Sequence, residues 1–201
     1  MKLTKSRFTP LVLALAGLAA IPAGADDSGR SRASSYQAKN MFAFGSPATL
    51  LPGAATLIRT EEGISYRVNT SMLMAGAHTI WIVIFNRPEN CAAGSGACMP
   101  PDLANPAVKG SVVAGAGYIV GLDGIANFEG SLSEGVPPQG IQVNVPSGTV
   151  DGLKNSRKAE IHLVIRAHGP TAAGNAVIQL TTFETCVGCA NVQAAAFEAV
   201  Q

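Results

Sequence analysis

The stretch Ala77 to Asn86 (Ala-His-Thr-Ile-Trp-Ile-Val-Ile-Phe-Asn) is apolar on both faces of an extended chain and rich in β-branched residues. A run of that length reads as a central strand buried between layers. With 22 Gly, 12 Pro and only 13% charged residues, the rest of the chain describes a turn-rich β protein. Few stretches carry helical periodicity.

Thr56 to Thr60 and Ile64 to Thr70 alternate and are joined by Glu61-Glu62-Gly63, so a hairpin is expected with Gly63 free to take positive φ. Arg87 to Asn105 holds Pro88, Pro100, Pro101 and two Cys, and reads as a long loop that needs a staple. Val108 to Val120, Gly124 to Leu132, the segment from Glu160 and Ala176 to Phe183 have strand character, with a Pro/Gly loop over Gly135 to Gly148. Ala190 to Val200 is helix by propensity or strand by position. Gly115-Ala116-Gly117 reads as a close-packing or bulge position rather than a phosphate loop. Seven or eight short strands with long Pro/Gly loops predict an all-β fold, a single-domain Greek-key β-sandwich.

Met1 to Arg7 carries three positive charges and leads into the apolar run Leu11 to Ile21, followed by Ala23-Gly24-Ala25. This is the pattern of a secretory signal peptide over 1–25, cleaved near Ala25, so a secreted or periplasmic mature chain is expected. Asp27 to Lys39 is polar and Ser/Arg-rich, which predicts a flexible leader over 26–41 and a domain over 42–201. No later segment reaches about 18 apolar residues, so no membrane span is expected in the mature chain. Removing Lys2, Lys5 and Arg7 from the 14 basic residues leaves 11 against 13 acidic ones, a formal charge of −2. Nucleic acid is therefore not an expected partner.

Four cysteines in an exported domain predict two disulfides, and Cys91, Cys98, Cys186 and Cys189 allow three connectivities. Local pairing staples two loops; cross pairing ties the long loop to the start of the last strand. A zinc ribbon would need a second pair at the Cys186/Cys189 spacing, which Cys91/Cys98 does not supply.

Strand alternation in Glu160 to His168 puts Ile161, Leu163, Ile165 and Ala167 on one face and Glu160, His162, Arg166 and His168 on the other. Such a stripe is either a satisfied structural network, a metal site, or an anion or ligand site centred on Arg166. The chain has three His, and His162 and His168 are roughly 20 Å apart on a regular strand. A copper or zinc site therefore requires His78 from a neighbouring strand to join His162 and Glu160, with His168 in support. No G-x-S-x-G elbow is present, and Glu61, Glu62, Glu129 and Glu134 read as turn or hairpin-end residues rather than paired catalytic carboxylates.

Gly76 to Phe85, Pro101-Asp102-Leu103-Ala104-Asn105 and Cys189-Ala190-Asn191-Val192 resemble, in order, three segments of copper-zinc superoxide dismutase. Cys91 follows the first at about the distance of that family's loop cysteine, and Cys189 sits where its second cysteine lies. The positions of the copper-binding H-x-H hold Trp81 and Val83, and the loop that supplies the zinc histidines has no His, so the resemblance implies the scaffold without the activity. Ala167-His168-Gly169-Pro170 with Val177-Ile178 is similar to patterns of CHRD-type extracellular domains. The overall pattern is also similar to secreted bacterial β-sandwich proteins without an assigned activity. The expected role is a non-catalytic binding or structural module of the envelope or exterior, with an extracellular protein or small ligand as partner and no cofactor. The alternatives are the copper or zinc protein described above, and a hydrolase whose residues converge only in three dimensions.

Overall fold

The computed structural model describes residues 34–135, 142–143, 151–172, 174–181 and 188–200. Among these residues nine strands form one sheet: β1 Ser35–Ala43, β2 Ser46–Arg59, β3 Gly63–Thr70, β4 Gly76–Phe85, β5 Gly110–Val120, β6 Ala126–Ser133, β7 Gln142–Val143, β8 Glu160–Ala167 and β9 Ala190–Phe197. Their order is β6-β3-β2-β1-β9-β8-β4-β5-β7, and the ladders are antiparallel. The sheet curls until β5 and β6 approach one another, so it is nearly closed. The all-β class read from the sequence is the class the chain adopts.

Alternation explains which face is inside. In β3, Ile64, Tyr66, Val68 and Thr70 are buried while Ser65, Arg67 and Asn69 are exposed. Leu57, Ile82, Phe128, Leu163 and Phe197 meet these in one interior cluster. Burying each such side chain stabilises by about 1.5–3 kcal/mol. Tyr66 fits because Gly115 and Gly130 face it; a Cβ at either would lie 2.4 or 2.6 Å from its hydroxyl oxygen. Gly115 is thus a close-packing position, as its strand context implies, and burial pushes the Tyr66 phenol up to about 12.

One end of the interior is closed by Arg59, which is fully buried. Its guanidinium donates to Gln37 Oε1 (2.7 Å) and to the carbonyls of Ser156, Ala159 (2.7 Å), Phe197 (3.1 Å) and Glu198 (2.9 Å). Burial lowers its pKa to about 10, with Glu160 acting in the opposite direction. The carbonyl dipoles replace water around the charge.

The structure corrects two expectations. Strand β1 begins at Ser35, so a leader extending to residue 41 is too long. Gln37 looks like a solvated residue, yet it holds Arg59 and the Glu198 carbonyl, while Lys39 stays exposed in a surface pair with Glu198 at 3.5 Å. Ala176–Thr181 is a short helix, α1, rather than a strand. Gln179 fixes it by donating to the His168 and Pro170 carbonyls, and Leu180 packs on Gly117, so tertiary contacts override the β preference of Val177 and Ile178. The hairpin is present, with Gly63 at φ 153°, and Ala190–Phe197 is strand. Most of the Gly135 to Gly148 loop lies outside the described residues. Among the described residues, no helix is long and apolar enough to cross a membrane.

Candidate functional site

Strands β4 and β8 pair so that Phe85 lies opposite Glu160, Val83 opposite His162, Trp81 opposite Val164 and Thr79 opposite Arg166. These residues occupy the outer face of the sheet, whereas Ile80, Ile82 and Ile84 face the interior. On the other side of β8, Ala196 and Ala194 of β9 lie opposite His162 and Val164. The outer face is therefore apolar along much of its length, and it requires a cover.

The Arg87 to Lys109 segment supplies part of that cover. Three short 3-10 turns begin at Pro88, Pro100 and Pro106, where proline presets φ. Cys91 and Cys98 form a disulfide with 5.3 Å between their Cα atoms, and they pack with Phe85 and Val108. Local pairing is thus realised for this pair. Cys189 is also disulfide-bonded, and Cys186 lies outside the described residues. Asp102 accepts from the Ala92 and Met99 N–H groups at 2.9 and 2.7 Å, which fixes the loop on itself.

Glu160 fixes the loop to the sheet. Its side chain is 1% exposed and accepts from Gly96 N–H (2.7 Å), Cys98 N–H (3.1 Å) and His162 Nε2 (2.8 Å). A carboxylate in that position only accepts, so Nε2 of His162 carries the proton. The imidazole ring lies edge-on to Phe85, with centroids 5.0 Å apart.

Beside this pair the loop leaves a cavity of about 470 Å3. Trp81, Val83, Val164 and Ala194 form its floor; Met99 and Leu103 of the loop and Phe42 and Phe44 of the β1 end form its sides. Glu160 and His162 line it as well. The sequence reading treats Trp81 as a core residue. At 1% exposure it is buried, but it also walls this cavity. The missed signal is the apolarity of β4 on both faces together with small or apolar residues on the neighbouring strands.

The polar stripe divides into two groups. Glu160 and His162 come together at one end. At the other, His168 Nε2 is 2.8 Å from Thr79 Oγ1, which accepts from Trp81 Nε1 at 2.8 Å, and His168 Nδ1 is 3.7 Å from Cys189 Sγ. Burial lowers the His168 pKa to about 4, reinforced by the positive charge of Arg166 and by His78. Arg166 donates to Asn191 Oδ1 at 3.2 Å. Burial also lowers its pKa. His78 lies opposite Ala167 and shares the interior face with Ile80; its Nε2 is buried without a hydrogen-bond partner, and burial lowers its pKa.

The expected metal set His78, His162, Glu160 and His168 is therefore not assembled. His78 is on the opposite face from His162, and His168 belongs to the Thr79 group. Among the described residues, one set of three potential ligands converges, Cys91, Cys98 and Asp102, and its two sulfurs are spent in the disulfide. Comparison with protein-family models finds no match for this chain, and comparisons with curated proteins and with solved structures find none either.

Proposed function

We propose that this chain is an exported, non-catalytic binding module that holds an apolar small molecule in the cavity between the outer sheet face and the disulfide loop. The observation that carries the reading is the cavity itself, whose volume of about 470 Å3 lies within the range of small-molecule sites and whose walls are largely aromatic and aliphatic. The signal-peptide pattern and the Cys91–Cys98 disulfide support a secreted or periplasmic location. The dismutase-like scaffold reading agrees with it, since Trp81 and Val83, which stand where that pattern has copper-binding imidazoles, both wall the cavity.

Trp81 is the only tryptophan, so its fluorescence reports on the cavity directly. The uncharged probe N-phenyl-1-naphthylamine is expected to bind one-to-one and quench Trp81 by energy transfer. Ala196→Leu, which fills the cavity, should weaken this at least tenfold. Non-saturable binding, or binding unchanged in Ala196→Leu, would refute the reading.

A second reading, a hydrolase, draws support from an acid and an imidazole 2.8 Å apart beside a cavity. Against it, the Gly96 and Cys98 N–H groups beside the pair are spent on Glu160 rather than free to hold an oxyanion. Hydrolysis of p-nitrophenyl acetate above the buffer rate that is abolished in His162→Gln would establish the hydrolase instead.

A further inference from the structure

We infer that the cavity selects a neutral ring compound bearing a hydroxyl group, whose proton is accepted by Nδ1 of His162. This deepens the binding reading above and rests on it.

With Nε2–H donating to Glu160, a neutral imidazole leaves the Nδ1 lone pair as an acceptor. Nδ1 has no hydrogen-bond partner among the described residues and is not sealed from the surface; the side chain is 14% exposed. The cavity that His162 lines is walled by the indole of Trp81, the rings of Phe85, Phe42 and Phe44, and aliphatic groups. A ligand seated there finds broad apolar surface and one fixed acceptor. Flat rings match the aromatic walls at small entropic cost.

The same geometry discriminates by charge. A carboxylate ligand would bring its oxygens against the Nδ1 lone pair and within reach of the negative Glu160, in a cavity with few competing dipoles. An ammonium ligand fares little better. Glu160 already accepts three hydrogen bonds, so the charge would find few remaining acceptors and leave most of its N–H groups facing apolar walls. A single hydroxyl is the polar group that one acceptor can satisfy.

Isothermal titration of the purified protein at neutral pH with 2-naphthol, naphthalene and 2-naphthoate tests this. The expected order is 2-naphthol about tenfold tighter than naphthalene, from one net hydrogen bond, with 2-naphthoate at least tenfold weaker than naphthalene. His162→Phe should bring 2-naphthol within twofold of naphthalene while leaving naphthalene bound. His162→Gln, which keeps a donor for Glu160 and offers a carbonyl oxygen, should restore part of the preference. If His162→Phe fails to fold, the ratio in the unaltered protein decides. Equal affinities for 2-naphthol and naphthalene in the unaltered protein, or a preference that persists in His162→Phe, would overturn the hydroxyl assignment and leave the cavity reading standing. Absence of binding by all three probes would overturn the cavity reading itself.

Discussion

Replacing Glu160 with Gln isolates the joint between the disulfide loop and the sheet, because the two side chains differ little in shape. The carboxylate accepts three hydrogen bonds, one at Oε2 from Gly96 and two at Oε1 from Cys98 and His162. An amide can keep its oxygen toward Cys98 and His162, but its NH2 group then meets the Gly96 N–H. The change converts two charge-assisted bonds to neutral ones, a loss of about 1 kcal/mol each, and removes a third worth roughly 1.5–3 kcal/mol. The eased desolvation of a side chain that is only 1% exposed offsets part of this, leaving an expected loss of about 2–3 kcal/mol. Urea unfolding followed by Trp81 fluorescence measures it. The loss should fall largely on local opening of the loop, so dithiothreitol should reduce the Cys91–Cys98 bond about 30-fold faster in native conditions. A stability change below about 0.5 kcal/mol together with an unchanged reduction rate would refute the claim that Glu160 anchors the loop.

Arg59→Met should cost about 3–5 kcal/mol in urea midpoint experiments, because it leaves the Ser156, Ala159, Phe197 and Glu198 carbonyls without their buried donor; a loss under 1 kcal/mol would show that water replaces it freely. Acidification should destabilise the protein. His168 is held near 4 and His78 also below its ordinary value, mainly by burial, so between about pH 6.5 and 4 the unfolded chain binds protons that the folded one does not. Stability is then full above about pH 6.5 and falls with a slope approaching about 1.4 kcal/mol per unit for each imidazole, and His168→Gln should flatten it; urea midpoints that rise on acidification from pH 7 to 5 would contradict this. Gly63→Ala should cost at least about 2 kcal/mol by thermal unfolding, since its φ is 153° and a Cβ would lie 2.2 Å from the Leu132 carbonyl oxygen; a melting temperature within a degree of the unaltered protein would count against it.

Where folding depends on local pattern, the sequence reading succeeds. The alternation in Ile64 to Thr70 matches β3 residue by residue, and the turn before it needs the glycine that is there. It fails where distant contacts decide. Gln37 and Lys39 have no apolar pattern to display, because Gln37 is held by the buried Arg59 and Lys39 by a surface ion pair with Glu198, both outside their own strand. Val177 and Ile178 have β preference, yet Gln179 and Leu180 bind that segment to β4, β5 and the turn after β8 as a helix. The adjacency of Glu160 and His162 was legible, being two residues apart on one strand. Their loop partners were not, since Gly96 and Cys98 lie 64 and 62 residues away. The position of His78 depended on a register that sequence does not specify, and a one-residue slip of β4 against β8 would have put it on the outer face.

The two-faced apolarity of β4 and the proline-rich cysteine loop that follows it are best understood as one device. A strand buried inside on Ile80, Ile82 and Ile84 is satisfied there by the other strands of the curled sheet. Among the described residues no second sheet covers Trp81, Val83 and Phe85 on its outer face, and the chain folds back over them instead. The loop begins at the Phe85 end, and its disulfide and Val108 pack on that end, sealing it. Toward Trp81 the cover thins, and small residues at Ala194 and Ala196 leave the floor low. Complete coverage would have produced an ordinary second core. Partial coverage, pinned by a buried carboxylate that also orients an imidazole, leaves an apolar hollow beside that pair, and the proposed binding of a small hydrophobic molecule rests on this arrangement.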